Sequence, residues 1–518
     1  MTINMPPPGA TRSSTGPLRI SGGLVLLAAD DPTPRKRDLL VEGGRVTAVL
    51  EPDQPSAPAD PFDASGLILI PGLVNSHVHS SGNLIRSLTD RWNLELQLNA
   101  GPAFRGVLST REKYLTTLLG AVEMVSRGCT SCYDIFFEAP LPSAEGFGAV
   151  AAAYRDVGIR AVVAPMVSDR SFYDAVPGLL DALPQPAAAR LRASPARPWQ
   201  QTLAAVEAAF AAWPSSDILG FAIAPTIPMH CTDDFLRGAA AFARGNGIGL
   251  HTHLAESRVQ AVYGAQVYGM SITRHLAQLG LLSGNFTGAH AVWIDAEDAR
   301  ILAAHGASVA HAPGANMRLG VGLAAVRMML EAGLSVGLAT DSRLCSDNLN
   351  MFEAMRLASY ASRVRGYDRA PWLSTREAFA LGTTGGARAL GLEGRIGRLT
   401  AGHAADIVFL DRHNTNYVPL IDLVHQLVHA EDATAVRHVM IAGRMVYRDR
   451  GFPHLDLPAL FAEVESAASR IRDENAPRLA EVAALEPAVL DICGCFARAP
   501  LGIERFVRDD LTCEGVTP

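Results

Sequence analysis

The chain runs to 518 residues, 48% hydrophobic and 19% charged, with a formal net charge of -7. That length and balance suit one large barrel with an accessory domain, or two to four ordinary domains, and exclude a disordered chain. No basic stripe marks a nucleic-acid partner, no apolar run reaches the roughly 18 residues a bilayer requires, and Met1–Pro17 is polar and Pro-rich without the apolar core of a signal peptide.

From Leu18 to about Ile70 the pattern is one of short strands: Leu24–Ala28, Leu39–Glu42 and Arg45–Leu50, with Gly43-Gly44 as a hairpin signal between the last two. Residues 18–70 read as half of a small β domain. Eight apolar runs then recur between helical stretches: Ile68–Asn75, Cys129–Ile135, Ile159–Val167, Ile218–Ala224, Ile248–His253, Phe286–His290, Ala307–His311 and Leu334–Thr340. Leu115, Leu118, Leu119, Val122 and Val125 share one helix face, and Ser109-x-x-Glu112 caps that helix. Continuous apolar runs are the mark of buried parallel strands. The reading is α/β, a (β/α)₈ barrel over 71–393, with a doubly wound sheet as the alternative. Ser168–Pro198 interrupts the repeat after strand three, as a lid or a long loop. Strands shorten again at Ala405–Leu410 and Val436–Tyr447, with turns at Gly402 and Gly443. Residues 394–450 therefore supply the second half of a composite β sandwich. Beyond Pro453 the expectation is a helix, Leu457–Glu474, and an irregular tail through 518.

The active face of such a barrel is built from the C-terminal ends of its strands. Strand one runs into His77-Val78-His79. Strand five carries His251-Thr252-His253, followed by Glu256. Strands six, seven and eight end at His290, His311 and Asp341. A His-x-His pair on extended backbone points both imidazoles to one side, an arrangement that clasps a metal ion. A single histidine is ordinarily a hydrogen-bonded core residue, but core packing does not account for chemistry-bearing residues at five strand ends out of eight. His77, His79, His253 and Asp341 form a set of three neutral ligands and one anion, suited to zinc, iron, nickel or cobalt, with a coordination position left for water. Glu256 is the expected proton shuttle, and His290 is expected to stabilise developing charge.

These motifs resemble the amidohydrolase superfamily. Pro71-Gly72-Leu73-Val74-Asn75-Ser76-His77-Val78-His79 is similar to its strand-one signature. His253-Leu254-Ala255-Glu256, Ala289-His290, His311-Ala312-Pro313-Gly314-Ala315-Asn316 and Ala339-Thr340-Asp341 resemble the branch of s-triazine hydrolases, adenosine-type deaminases and guanine deaminase. Gly397–Ile407 and Val439–Arg444 resemble its C-terminal β segments. The resemblance covers residues 18 to 450. It implies metal ligands at His77, His79, His253 and Asp341, water-assisting roles for Glu256 and His290, and a proton-accepting role for Asp341. It also implies one divalent metal per subunit, zinc with iron as the alternative, and a homodimer or higher homo-oligomer. Substrate contacts are expected from Trp92 and Gln97 on the loop after strand one, and from His311 and Asn316. Two-metal relatives bridge their metals with a carboxylated lysine. The only lysines here are Lys36 and Lys113, neither on strand four, so a single-metal site is expected. Two departures stand out: Ala315 replaces a common serine, and Pro225-Thr226 replaces a Pro-His that holds substrate in some deaminases.

Four other patterns are set aside. Cys129-Thr-Ser-Cys132 opens a core strand without a second pair. His429-Ala-Glu431 lacks the Cys-x-x-Cys of cytidine deaminases. Cys493-Gly-Cys495 falls in the tail, and His230 is as readily structural as pocket-lining. Seven cysteines without a dense framework fit a reducing compartment. The expected protein is a cytoplasmic hydrolase of a C–N bond in a small nitrogen-rich heterocycle, by hydrolytic deamination. Amide or cyclic-amidine hydrolysis, displacement of chloride or an alkylamine, and a non-catalytic scaffold are the alternatives.

Overall fold

The computed structural model describes residues 16–507 except 88–89, 106–107, 194–196 and 215, so most of the polar N-terminal stretch and the last residues of the chain lie outside it. Eight parallel strands follow one another in sheet order: β1 (Leu73–Val78), β2 (Cys129–Phe136), β3 (Arg160–Val167), β4 (Leu219–Pro225), β5 (Gly249–Leu254), β6 (Phe286–His290), β7 (Ser308–His311) and β8 (Ser335–Leu338). The seam between β8 and β1 is held partly by side chains. Ser76 Oγ donates to Leu338 O (2.6 Å), Asn75 Nδ2 to Thr340 Oγ1 (2.7 Å), Thr340 N to Asn75 Oδ1 (3.0 Å), and Asp341 N to His77 O (3.0 Å). The expected barrel is present, with helices around it. The helix Thr110–Ser126 starts at a complete Ser109/Glu112 capping box and buries Leu115, Leu118, Val122 and Val125.

The first expected barrel strand is in fact two. Leu67–Pro71 belongs to a separate six-stranded sheet, and the barrel begins only at Leu73. Gly72 makes this corner, because a Cβ there would stand 2.0 Å from Thr130 Oγ1. The apolar run is continuous across Gly72 because both strands are buried, so hydropathy shows no break.

The six-stranded sheet interleaves the two ends of the chain: Leu67–Pro71 pairs with Ile407–Asp411, which pairs with Val436–Ile441. A four-stranded sheet, containing the hairpin turned by Gly43-Gly44, packs on it through a shared core of Ile20, Leu39, Val41, Leu69, Ile407 and Phe409. Val436–Tyr447 is a hairpin that reverses at Ala442-Gly443, both with positive φ, at the turn expected for Gly443.

The C-terminal segment corrects the expected irregular tail. Leu457–Ala483 runs through Pro477, since burial of Leu460, Val464, Ala467 and Ile471 along one face offsets the single hydrogen bond the proline forfeits. A second helix, Glu486–Arg498, follows. The insertion after β3 folds as three short helices, Phe172–Ala175, Leu179–Ala182 and Gln185–Ala193. Together with Leu485, Val489 and Cys493 they form a second core above the barrel, closed by Leu96, Ile227, Met229, Val259 and Tyr263 from segments that follow the strands' C-terminal ends. Among the described residues no helix is long and apolar enough to cross a membrane.

Candidate active site

The C-terminal ends of β1, β5, β6 and β8 converge. His79 Nε2 lies 3.1 Å from His253 Nε2 and 3.5 Å from Asp341 Oδ1, and His77 Nε2 lies 3.7 Å from the same carboxylate oxygen. His290 Nε2 is 3.9 Å from Asp341 Oδ2 and 3.6 Å from Glu256 Oε1. All six residues are buried, none more than 7% exposed.

The hydrogen bonds behind the rings decide what this cluster holds. His79 Nδ1 is 2.7 Å from Ile135 O, and His253 Nδ1 is 2.5 Å from Thr226 O. Carbonyl oxygens only accept, so each Nδ1 donates and, in a neutral ring, each Nε2 is a bare lone pair. Two lone pairs 3.1 Å apart beside a carboxylate repel one another unless a cation lies among them. Burial and the neighbouring histidines also hold the His77 pKa well below the usual imidazole range. His77 Nε2 and His290 Nε2 are also buried without a hydrogen-bond partner. Two overlapping trios, His77/His79/His253 and His77/His290/Asp341, have donor atoms close enough to share one ion. Three imidazoles and a carboxylate are the donors a divalent metal such as zinc takes.

Backbone strain concentrates here. His290, Asp341 and Ala255 all have positive φ (67°, 63° and 44°), a conformation non-glycine residues adopt sparingly. At Ala255 its effect is visible. Simple alternation from His253 would bring residue 255 to the inner side, whereas here the left-handed turn at Ala255 brings Glu256 beside His290. Burial first, and then the charge of Glu95, push the Glu256 carboxyl up to about 8. Burial also raises Asp341, to about 6, with His290 opposing and Glu256 adding.

Residues 68–446 match the Amidohydrolase family. The chain belongs to that family. Among its relatives, a 5-methylthioadenosine/S-adenosylhomocysteine deaminase from Symbiobacterium thermophilum is 31% identical over 465 residues, spanning 88% of this chain and 99% of the relative. A 5'-deoxyadenosine deaminase from Methanothermobacter thermautotrophicus is 28% identical over 84% of this chain and 95% of its own length. The fold is similar to that of an adenosine deaminase from Xanthomonas campestris with bound zinc (TM-score 0.77, 25% identity, 88% and 98% of the two chains). It is similar also to atrazine chlorohydrolase from Arthrobacter aurescens TC1 with zinc (TM-score 0.76, 23% identity, 87% and 100%). As an amidohydrolase with relatives named as deaminases, the protein is a hydrolase of carbon–nitrogen bonds other than peptide bonds.

The four residues expected to touch substrate fall differently in this amidohydrolase. Asn316 Oδ1 pairs with His290 Nδ1 at 2.9 Å, while its buried Nδ2 is without a partner. Gln97 Nε2 donates to Cys345 Sγ (2.9 Å), leaving its buried Oε1 without a partner. His311 is buried beside His290, its Nδ1 also without a partner, and burial then the His290 charge hold its pKa down at about 3. Trp92 is half-buried where the two cores meet. Lys113 is bound to Glu138 (2.5 Å) and Lys36 lies in the small domain, both apart from the site.

Two residues at the site, Glu95 and Cys345, were not singled out from sequence, whereas His251 was read there as pocket-lining or structural. Glu95, buried in the helix Leu94–Arg105, receives a hydrogen bond from the Ser257 side chain, and its charge acts on both Glu256 and Cys493 of the C-terminal helix. It lies in the loop-like stretch around Trp92, where a first-turn glutamate ordinarily reads as solvated. Cys345 sits against Ser342 and Gln97. His251 lies beneath His77. The helix Leu94–Arg105 is covered in turn from outside. Asn99 Nδ2 donates to Val482 O (3.2 Å) and Tyr173 Oη to Asn99 Oδ1 (2.7 Å). Arg258 binds the carbonyls of Ala497, Ala499 and Ile503, and Arg505 those of Val292 and Ile294.

Proposed function

We propose that this amidohydrolase is a single-metal aminohydrolase that removes an amino group from a carbon of a nitrogen-rich ring. The observation that carries the reading is the pair of facing Nε2 atoms of His79 and His253, 3.1 Å apart beside Asp341, with Glu256 and His290 at its edge. Relatives named as deaminases, matched over nearly their whole length, support the choice of leaving group.

His77, His79, His253 and Asp341 would hold the ion. Bound there, a divalent metal, zinc by preference, supplies Lewis-acid activation of water near neutral pH. Asp341 takes the proton the attacking water gives up. Glu256, protonated near neutrality because burial raises its carboxyl to about 8, donates to the ring nitrogen next to the attacked carbon. It recovers a proton by way of Asp341 and passes it to the departing nitrogen; as the C–N bond breaks and ammonia leaves, the hydroxyl left on the carbon becomes a carbonyl and returns its proton to Glu256. His290, oriented by Asn316, holds charge at the attacked carbon's new oxygen. Gln97 Oε1 and His311 Nδ1, buried without partners, are the polar atoms offered to the ring. A homo-oligomeric, cytoplasmic enzyme remains part of this reading.

The test is ammonia release by the zinc-reconstituted protein from a panel of purine nucleosides, free purines, pterins and aminated triazines, with Glu256→Gln as control. Release from one ring class, lost in the variant, is the expected result. No release from any, with about one metal bound per chain, overturns deamination and favours another leaving group at the same centre.

A further inference from the structure

Each imidazole in the proposed ligand set needs its far nitrogen fixed, because that bond selects the tautomer and aims the ring. For His79 and His253 the anchors are main-chain carbonyls, Ile135 O and Thr226 O. His77 is different. Its Nδ1 lies 3.2 Å from Nε2 of His251, a wholly buried side chain two residues before His253 on the same side of β5. The two rings run nearly parallel, centroids 5.0 Å apart at 29°. The edge of His251 is braced on the ring of Tyr133 at 4.5 Å and 85°. Tyr133 fits only because residue 249 is glycine: a Cβ there would stand 2.5 Å from the tyrosine oxygen.

In the proposed metal site His77 Nε2, which faces Asp341, gives its lone pair to the ion, so the ring proton belongs on Nδ1. His251 Nε2 must then accept it, and the proton of His251 itself sits on Nδ1. That nitrogen is buried with no protein partner. A residue kept only to fill the barrel would avoid such an orphan.

We propose that His251 is a positioning residue of the metal site, accepting the Nδ1 hydrogen of His77 and thereby setting its tautomer and angle. The inference rests on the metal-site reading above. It concerns a ligand whose anchor is a replaceable side chain.

The test compares metal-stripped wild type, His251→Phe and His251→Gln by competition with a chromophoric chelator for zinc and cobalt, and by the visible spectrum of the cobalt forms. His251→Phe keeps the bulk and removes the acceptor. Binding weakens about 10- to 100-fold and the cobalt bands shift. His251→Gln restores an acceptor in its side-chain carbonyl, and both readouts return most of the way to wild type. Wild-type affinity and an unshifted spectrum in His251→Phe overturn the proposal, as does equal weakening in both variants, which is the mark of lost packing. A wild-type chain that takes up neither ion overturns the metal-site reading itself, whereas one ion per chain in wild type and His251→Phe alike, equally tightly held, overturns only the role of His251.

Discussion

His77-Val78-His79 on β1 and His251-Thr252-His253 on β5 are the same three-residue pattern, yet the barrel uses them unequally. Both Nε2 atoms of the first pair approach Asp341 Oδ1, at 3.7 and 3.5 Å. Of the second pair only His253 reaches the cluster, facing His79, while His251 faces the back of His77. Alternation along a strand fixes the side on which a residue stands, not its depth in the barrel. Depth depends on how the strands are staggered around the closed sheet, and the stagger here sets His253 level with His79 and His251 level with His77. His77 spans both levels, one nitrogen up and one down.

That inequality can be broken outright. His253→Ala removes a proposed ligand and the nitrogen that faces His79 Nε2. Metal content should fall to a small fraction of one per chain and turnover below detection, measured by elemental analysis and ammonia release; full metal content in this variant would sink the assignment. Glu256→Gln tests the edge of the same cluster. It should lower kcat about 10²- to 10⁴-fold while leaving metal content at the wild-type level. His251→Phe should fall between these two in metal affinity and well short of His253→Ala, which is the quantitative form of the comparison.

A pH experiment sharpens it further. Glu256 is raised in the folded chain to about 8 from the ordinary carboxylate value, by burial and then by Glu95. The fold therefore keeps a proton that the unfolded chain gives up above about pH 4.3. The stabilisation is complete below that value and is lost as pH rises toward 8. Metal-free wild type should lose stability between about pH 5 and 8 with a slope steeper than that of Glu256→Gln by at most about 1.4 kcal/mol per pH unit. Melting curves across that range suffice, and parallel slopes would refute the shift. The smallest effect lies away from both pairs. Ser109→Ala breaks the capping box at Glu112 and should cost about 1 kcal/mol, with metal affinity and kcat unchanged.

Much of this site was legible in the sequence because its proposed ligands end strands that read as apolar runs, and a histidine or aspartate closing such a run is seldom there for packing alone. The role of Asn316 was not legible. A polar residue after β7 looks ready for substrate, and its pairing with the back of His290 depends on two strand ends brought together by the barrel. Glu95 was passed over for a related reason: its burial comes from helices nearly 400 residues later in the chain, Leu457–Ala483 and Glu486–Arg498, which no local pattern connects to it. The break at Gly72 was hidden because two buried strands of different sheets share one hydrophobicity.

Sequence alone determined the repeat of eight buried strands, the capping box, the glycine hairpin and the residue types gathered at the strand ends, since each follows from local periodicity or from chemistry carried by a few neighbouring residues. Tertiary structure decided which of two identical histidine pairs points wholly into the site, how a left-handed Ala255 brings Glu256 beside His290, and how the C-terminal helices cover the mouth of the barrel. These depend on strand stagger, on strain that only surrounding packing sustains, and on contacts between segments hundreds of residues apart, none of which is written in any one stretch of the chain.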